Sequence, residues 1–401
     1  MKFNFRILAI THLILLAWSA SARPEGISEP IAQCLTESSN PTRSEMLGEL
    51  AALQNPRTNL GDRLEAMRRL ANNKEATAAA IDTLLPYARG VSGESSEEMQ
   101  ASVQAIDAIS YRIGSYPVRF PSKVPRTDDQ DIIAHEPIRS IEYQGGGNSA
   151  SYAVLFENGR RGLFKDRKGE FNYRFGPVQS DFVCFNRETC APSIVERFLG
   201  NKKSRSTGQS TIILPSIGTV VLKREDHAYG VGSLQLYVDG FTDVESLNHR
   251  NPSLWEQIRH KPEWGSIQTR IQIIDFILGN HDRLPLEINY RMDSKNFMIK
   301  IEGVDVDSPD ASHQLANIPH PKISVALIDN AMGRPGIGQF DINSFGHFPV
   351  RDNIPADLNQ SIMHFDEAAF RAEYVHVLPQ RGIDDLIGRV HAAQNRIEHG
   401  P

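Results

Sequence analysis

The chain has 401 residues, 43 lysines and arginines against 49 aspartates and glutamates, and a formal net charge of −6. That length implies two or three domains with enough interior for a substantial core. The mildly acidic balance argues against a nucleic-acid binder, which carries a basic surface. The 13 histidines and three cysteines are scattered without the spacing of a zinc site.

Residues 1–22 have the form of a signal peptide. Lys2 and Arg6 make the basic start, Ile7 to Trp18 the apolar stretch, and Ala20-Ser21-Ala22 the small-residue cleavage site. The apolar stretch is short for a membrane span, so cleavage is expected rather than a retained anchor. No later segment reaches transmembrane length. The expected destination is outside the cytoplasm: secreted, periplasmic or in a secretory lumen. Such compartments are oxidising. Cys184 and Cys190 are close enough for a local disulfide, or are two buried thiols; the sequence leaves both open, and Cys34 is the odd one out.

Residues 23–40 form an irregular lead-in. A small all-helical domain is expected over 40–115. Leu47, Leu50 and Leu53 recur on one face of a first helix. Asn59 to Asp62 begin a second, which carries Leu64, Met67 and Leu70. A third runs from Ala76 to Tyr87. After a polar connection from Ser92 to Glu98, a fourth carries Val103, Ile106, Ile109 and Ile113. Short helices with short connections pack as a bundle, here a packing or protein-docking appendage. The Pro-, Ser- and Asp-rich span 116–137 is taken as a linker.

The period then changes to two. Ile138 to Tyr143, Tyr152 to Phe156 and Arg161 to Asp166 predict strands, the last two joined by a hairpin turn at Glu157-Asn158-Gly159. Between the first two lie Gly145, Gly146, Gly147, Asn148 and Ser149, and Lys165 ends the third strand. Glycines let backbone N–H groups approach phosphate oxygens, and a lysine beyond them reaches the same phosphates. Taken alone, three glycines in a hairpin are usually just a turn, and a lysine at a strand end is usually a solvated edge residue. A helix is expected from near Asn186 to Gly200, with Glu188 in its first turn and Ile194, Val195, Phe198 and Leu199 on its apolar face. Thr211 to Leu214, Thr219 to Arg224 and Ser233 to Asp239 add three strands to one small sheet.

From about Ser253 the pattern is mostly helical. Ile271, Ile274, Ile277 and Leu278 stand at helical spacing, Gly279 and Asn280 end the helix, and His281, Asp282 and Arg283 follow at once. Val325 to Ile328 predicts a strand that ends in Asp329-Asn330. One carboxylate on a loop after a buried helix and another at a strand end is an arrangement suited to phosphoryl transfer, where one orients the hydroxyl and the other holds the metal. The acidic stretch Asp305 to Asp310 is expected to be a solvated loop rather than a cation site. Phe365 to Val375 and Ile383 to Ile397 predict C-terminal helices.

Four segments, VLFENGRRGLFKD (154–166), ETCAPSIVERFLG (188–200), DFILGNHDR (275–283) and ALIDNAMG (326–333), together resemble the secretory-pathway kinases of the Golgi casein kinase and four-jointed type, and more distantly the HipA and CotH kinases. The resemblance covers roughly 138–345. It implies an α+β, two-lobed atypical protein-kinase-like fold preceded by the small all-helical domain, with an N-lobe over 138–240 and a C-lobe over 241–401. It implies Lys165 as the nucleotide-phosphate lysine and Glu188 as its helix partner or a metal ligand, with Glu196 as the fallback. Asp282 resembles the catalytic base and Asp329 the metal-binding aspartate. Asn280, Arg283 and Asn330 are supporting residues, and Gln235 and Tyr237 flank the nucleotide base. The implied function is metal-dependent transfer of the ATP γ-phosphate, with Mg²⁺ or Mn²⁺, to a hydroxyl on a protein serine or threonine. The alternatives are a glycan hydroxyl as acceptor, or a pseudokinase that binds nucleotide or partner without transfer. One departure matters. Kinases place a metal-binding asparagine five residues after the base; here that position is Glu287, and Asn289 comes two later.

Overall fold

The computed structural model describes residues 43–76, 78–91, 94–113, 116–118, 132–133, 135–144, 150–166, 184–199, 210–213, 217–224, 227–280, 297–328 and 353–399. The architecture is mixed α+β: four helices, then two sheets and a helical remainder. Helices α1 (Arg43–Gln54), α2 (Leu60–Asn72), α3 (Ala78–Arg89) and α4 (Ser96–Ile113) form the expected bundle. Met67, Leu70, Ile81, Leu84, Val103, Ile106 and Ile109 fill its core. Asn59 caps α2 by accepting from the Asp62 N–H at 2.9 Å. Part of the polar stretch 92–98 turns out to be a helix start. Ser95 Oγ accepts from the Glu98 N–H at 3.2 Å and Glu98 Oε2 from the Ser95 N–H at 2.9 Å, a reciprocal capping box. The other Glu98 oxygen holds Arg63 of α2 at 2.6 Å. Leu47, expected inside, is exposed, and Met46 takes its place in the core.

The bundle is packed onto the sheet that follows. That sheet has six antiparallel strands, β1 (Tyr116–Val118), β2 (Ile138–Tyr143), β3 (Ser151–Phe156), β4 (Arg161–Asp166), β6 (Ile217–Arg224) and β7 (His227–Leu236), in the order β1-β6-β7-β4-β3-β2. Helix α4 lies against β6 and β7, and Val231 of β7 belongs to the bundle core. At Gly230 (φ +85°) a Cβ would lie 2.1 Å from Asp107 Oδ1 of α4, so only glycine permits this approach. Two pieces of the 116–137 span also belong to the sheet. Strand β1 pairs with β6, while Ile132 and Ile133 pack on Val154, Phe156, Phe164, Leu222, Leu234 and Leu236.

Helix α5 (Cys184–Leu199) crosses to β5 (Ser210–Ile213). The expectation that β5 joins the first sheet is corrected. It pairs in parallel with β10 (Ile323–Leu327) in a second sheet, ordered β5-β10-β9-β8 with β9 (Phe297–Ile301) and β8 (Thr242–Asp243). The segment read as a strand from Ser233 to Asp239 begins earlier, at His227, and ends at Leu236. Helices α6 (Val244–Arg250), α7 (Pro252–Arg259) and α8 (Pro262–Leu278) follow, then α9 (Ala311–Ala316) between β9 and β10. The chain closes with α10 (Ala356–Met363), α11 (Glu367–Tyr374) and α12 (Gln380–His399). One core joins the second sheet, α5 and these helices. Trp264 sits edge-on between Trp255 and Phe297, at 5.1 and 5.5 Å between ring centroids, an arrangement favoured by the ring quadrupole.

Cys190 is a buried thiol outside any disulfide; the Cys184 side chain, Cys34 and residues 1–22 lie outside the described residues. In the acidic stretch 305–310, Asp307 pairs with Arg250 at 2.6 Å and its N–H donates to Asp305 Oδ1 at 3.2 Å, so these carboxylates shape a surface turn. Among the described residues no helix is long and apolar enough to cross a membrane.

Candidate functional site

The described residues of the expected site lie on two elements, the middle of the first sheet and the C-terminal end of α8. In the sheet, side chains alternate between faces, and the strand registers decide which residues share one. Tyr152, Phe164 and Leu234 are mutual partners across β3, β4 and β7, and Val154, Gly162 and Leu236 form the next row. That face is the apolar mini-core. On the opposite face, Ser151 pairs with Lys165 and Lys165 with Ser233, a row of three polar residues on three adjacent strands. The next row is Ala153, Leu163 and Gln235. Ser151 is 9% exposed, Ser233 1% and Gln235 7%, while Lys165 is partly exposed. Buried polar groups persist where they have partners to satisfy, and directly opposed residues have Cβ atoms about 5 Å apart. This face therefore carries a lysine between two buried serines, with a glutamine one row away, and on β7 it also bears Val231 of the bundle core. Ser151 and Ser233 are not evident from motif reading. The available signal is the alternation of Ser233 and Gln235 with Leu234 and Leu236 in one strand.

Tyr237 stands just past β7. Its N–H donates to the Arg161 carbonyl at 2.8 Å, and the Arg161 guanidinium lies 5.5 Å from its ring centroid. Arg161 begins β4 and Lys165 nearly ends it, four residues on, so the two ends of the face are about 13 Å apart along the strand. Glu196 of α5 is half-buried.

The second element is explained by how α8 stops. Gly279 takes φ +70°, its N–H donates to the Phe276 carbonyl at 3.2 Å, and the Asn280 N–H donates to the Asp275 carbonyl at 2.8 Å. This is a complete Schellman motif, which needs the left-handed residue that glycine supplies. Asn280 and Asp275 are both fully buried. Two polar side chains thus meet the apolar core where the chain leaves the helix toward His281, Asp282 and Arg283. An aspartate inside the run Ile273-Ile274-Asp275-Phe276-Ile277 is the signal that points to Asp275. In the second sheet, β10 ends at Leu327, and Ile328 precedes Asp329 and Asn330 in sequence. Among the sequence-predicted site residues, Lys165 and Gln235 share one face of the sheet. Gly145, Gly146, Gly147, Asn148, Ser149, Asp282, Arg283, Asp329, Asn330 and the Glu188 side chain lie outside the described residues. Among the described residues no three metal-ligating side chains cluster.

Helix α8 is anchored along its length. Arg270 makes a two-pronged contact with Asp357 of α10, Nη1 to Oδ2 at 2.9 Å and Nη2 to Oδ1 at 2.7 Å. The hydrogen bond from Arg270 holds the Asp357 carboxyl below its ordinary range. A carboxylate whose pKa is depressed on folding contributes stability that is fully present above its unfolded pKa, about 3.9, and is lost as pH falls through the lower folded value. Asp357→Asn is therefore expected to lower the melting temperature at neutral pH and to flatten its decline at acid pH. Parallel wild-type and variant melting curves from pH 2 to 7 would contradict this coupling.

On the far side of α5, the Tyr374 hydroxyl lies 2.7 Å from Ser193 Oγ, and burial raises its pKa. Arg89 at the end of α3 is buried within electrostatic reach of Cys190, and burial pushes its pKa down to about 10. The Tyr374–Ser193 hydrogen bond ties α11 to α5. No family model matches this sequence, and no curated protein matches it significantly.

Proposed function

We propose that the chain is an exported kinase of two-lobed, atypical protein-kinase-like fold, which transfers the γ-phosphate of ATP to a hydroxyl, with protein serine or threonine as the acceptor. The observation that carries the reading is the row Ser151–Lys165–Ser233 on the polar face of an antiparallel sheet. A lysine in mid-sheet, followed by a helix bearing Glu188 and by a strand bearing Gln235, is the order of parts that phosphate and base recognition require. The 13 Å or so from Lys165 to the Arg161–Tyr237 end suits an extended nucleoside triphosphate lying along the face. In this reading Lys165 neutralises phosphate oxygens, the backbone of 145–149 covers them, and Gln235 and Tyr237 bound the base. Asp282 orients the acceptor hydroxyl and takes its proton. Asp329 and Glu188 would hold Mg²⁺ or Mn²⁺, which supplies charge neutralisation at the phosphates. Catalysis is then mainly positioning and electrostatics.

The test is incubation of the mature chain with γ-labelled ATP, Mg²⁺ or Mn²⁺, and an acidic phosphoprotein acceptor, beside Lys165→Met. Label transfer that the substitution abolishes supports the reading. Glu287 at the usual asparagine position favours one competitor, a pseudokinase. Thermal stabilisation by ATP that depends on Lys165, without any transfer, would establish that competitor instead. Transfer to a glycan and not to protein would move the acceptor class and keep the chemistry.

A further inference from the structure

Helix α5 carries two cysteines and an internal proline. Cys184 is its first residue and Cys190 lies six residues on. With a rise of about 1.5 Å and a turn of about 100° per residue, their Cα atoms stand about 10 Å apart. A disulfide needs its Cα atoms within about 7 Å. The two cysteines therefore cannot be bridged while 184–190 is helical. Pro192 follows two residues later. Proline has no N–H, so the helix loses the bond that would run from position 192 to the Glu188 carbonyl four residues back. The described anchors of α5 lie beyond this break. Ile194, Val195, Phe198 and Leu199 are buried in the second core. Ser193 Oγ meets the Tyr374 hydroxyl at 2.7 Å, Arg197 pairs with Glu373, and the Phe198 ring stacks on Phe365 at 5.8 Å between centroids. Cys190 and Ala191, just before the break, are buried but small.

We propose that a Cys184–Cys190 disulfide and the start of α5 exclude each other, so that oxidation by a low-molecular-weight disulfide such as oxidised glutathione opens the segment 184–189 and reduction closes it again. Cys190 is a buried thiol outside any disulfide, which is the reduced, helical state. On oxidation one cysteine thiolate attacks the small disulfide R–S–S–R, forms a mixed disulfide and releases RS⁻. The second thiolate attacks the protein sulfur of that mixed disulfide, closes the Cys184–Cys190 bond and releases another RS⁻. The pair loses two electrons and two protons, and R–S–S–R becomes two R–SH. The bridge draws the two Cα atoms together by about 3 Å or more, the difference between the helical and the bridged separations. The anchors beyond Pro192 hold the rest of α5 in place. Glu188 lies inside the opened segment, so under the kinase reading the same event withdraws it from the role that the resemblance gives it. The redox change itself needs no kinase activity.

The experiment uses the full-length mature chain in buffers of reduced and oxidised glutathione, once native and once in urea. Thiols are trapped by alkylation, any bridge is located by peptide mass spectrometry, and amide exchange is followed over 184–189 and 193–199. The equilibrium constant for bridging should be about 10- to 100-fold smaller in the native chain than in the unfolded one, the usual size of a coupling between two events in one protein. By linkage the bridge lowers the stability of the fold by the same factor. In the bridged protein, exchange over 184–189 should quicken while 193–199 stays protected, and dithiothreitol should restore slow exchange. Cys184→Ser should show no glutathione-dependent change over 184–189. A bridged protein with native exchange over 184–189 overturns the exclusion. Thiols that persist in the native chain beyond that range of glutathione ratios overturn the switch. Pairing of either cysteine with Cys34, or a glutathione-dependent change in Cys184→Ser, overturns it as well.

Discussion

Asp282→Asn is expected to lower the rate of phosphoryl transfer by about 10²- to 10⁴-fold, the usual contribution of a positioned general base. Asparagine keeps the size and hydrogen-bonding shape of the side chain but cannot accept the proton as a carboxylate does. The loss should fall on kcat, with ATP binding retained, because the proposed function assigns the phosphates to Lys165 on β4 and not to the chain leaving α8. The physical basis is the way α8 ends. A helix stopped by a complete Schellman motif, with Asn280 and Asp275 both buried at its last turn, emerges in one direction. The pH profile provides a second readout. Wild type should lose activity as pH falls through the carboxylate range, while the residual activity of Asp282→Asn should not follow that limb. An asparagine variant with wild-type kcat would remove Asp282 from the mechanism.

Gly232→Ala is expected to destabilise the protein by about 3 kcal/mol, the upper part of the range for overpacking. A Cβ there would lie 2.1 Å from the Lys165 carbonyl oxygen and 2.7 Å from two ring carbons of Phe164. Neither neighbour is the loose end of a flexible chain. One is backbone of the paired strand β4, and the other is a fully buried ring in the apolar mini-core. Relief requires β7 and β4 to separate at the register position next to the Ser233–Lys165 pair. ATP-dependent stabilisation should therefore weaken along with the fold. The control is Gly265→Ala in α8, where a Cβ meets nothing within 4 Å. Alanine at an accessible helix position is favoured over glycine by roughly 0.5–1 kcal/mol, so this variant should be neutral or slightly more stable. Denaturant unfolding of the two variants tests the pair. Equal midpoints would contradict the close approach at Gly232.

The local elements were largely legible from the residues. The four bundle helices follow from the period of Met67, Leu70, Ile81, Leu84, Val103, Ile106 and Ile109, and the hairpin of β3 and β4 from alternation around Glu157-Asn158-Gly159. The stop of α8 at Gly279 follows from glycine's tolerance of positive φ. Each is a property of a short window, and a short window is what sequence displays. Lys165 could be chosen for the same reason, as a basic residue at the end of a recognisable strand. The companions of Lys165 could not. Ser151 and Ser233 are unremarkable until register sets them on either side of it, and register is a relation between strands up to 82 residues apart. Strand β5 looked like a neighbour of β6, yet it pairs with β10 because the apolar edge it completes lies in the second sheet. Burial decided the rest. Leu47 and Met46 are adjacent and both apolar, and only packing against the bundle core shows which one points inward. The chain itself determined its helices, strands and stops, because those depend on neighbours in sequence. The tertiary structure alone decided which polar side chains share a face and which side chains anchor α5, because these depend on contacts between segments distant along the chain.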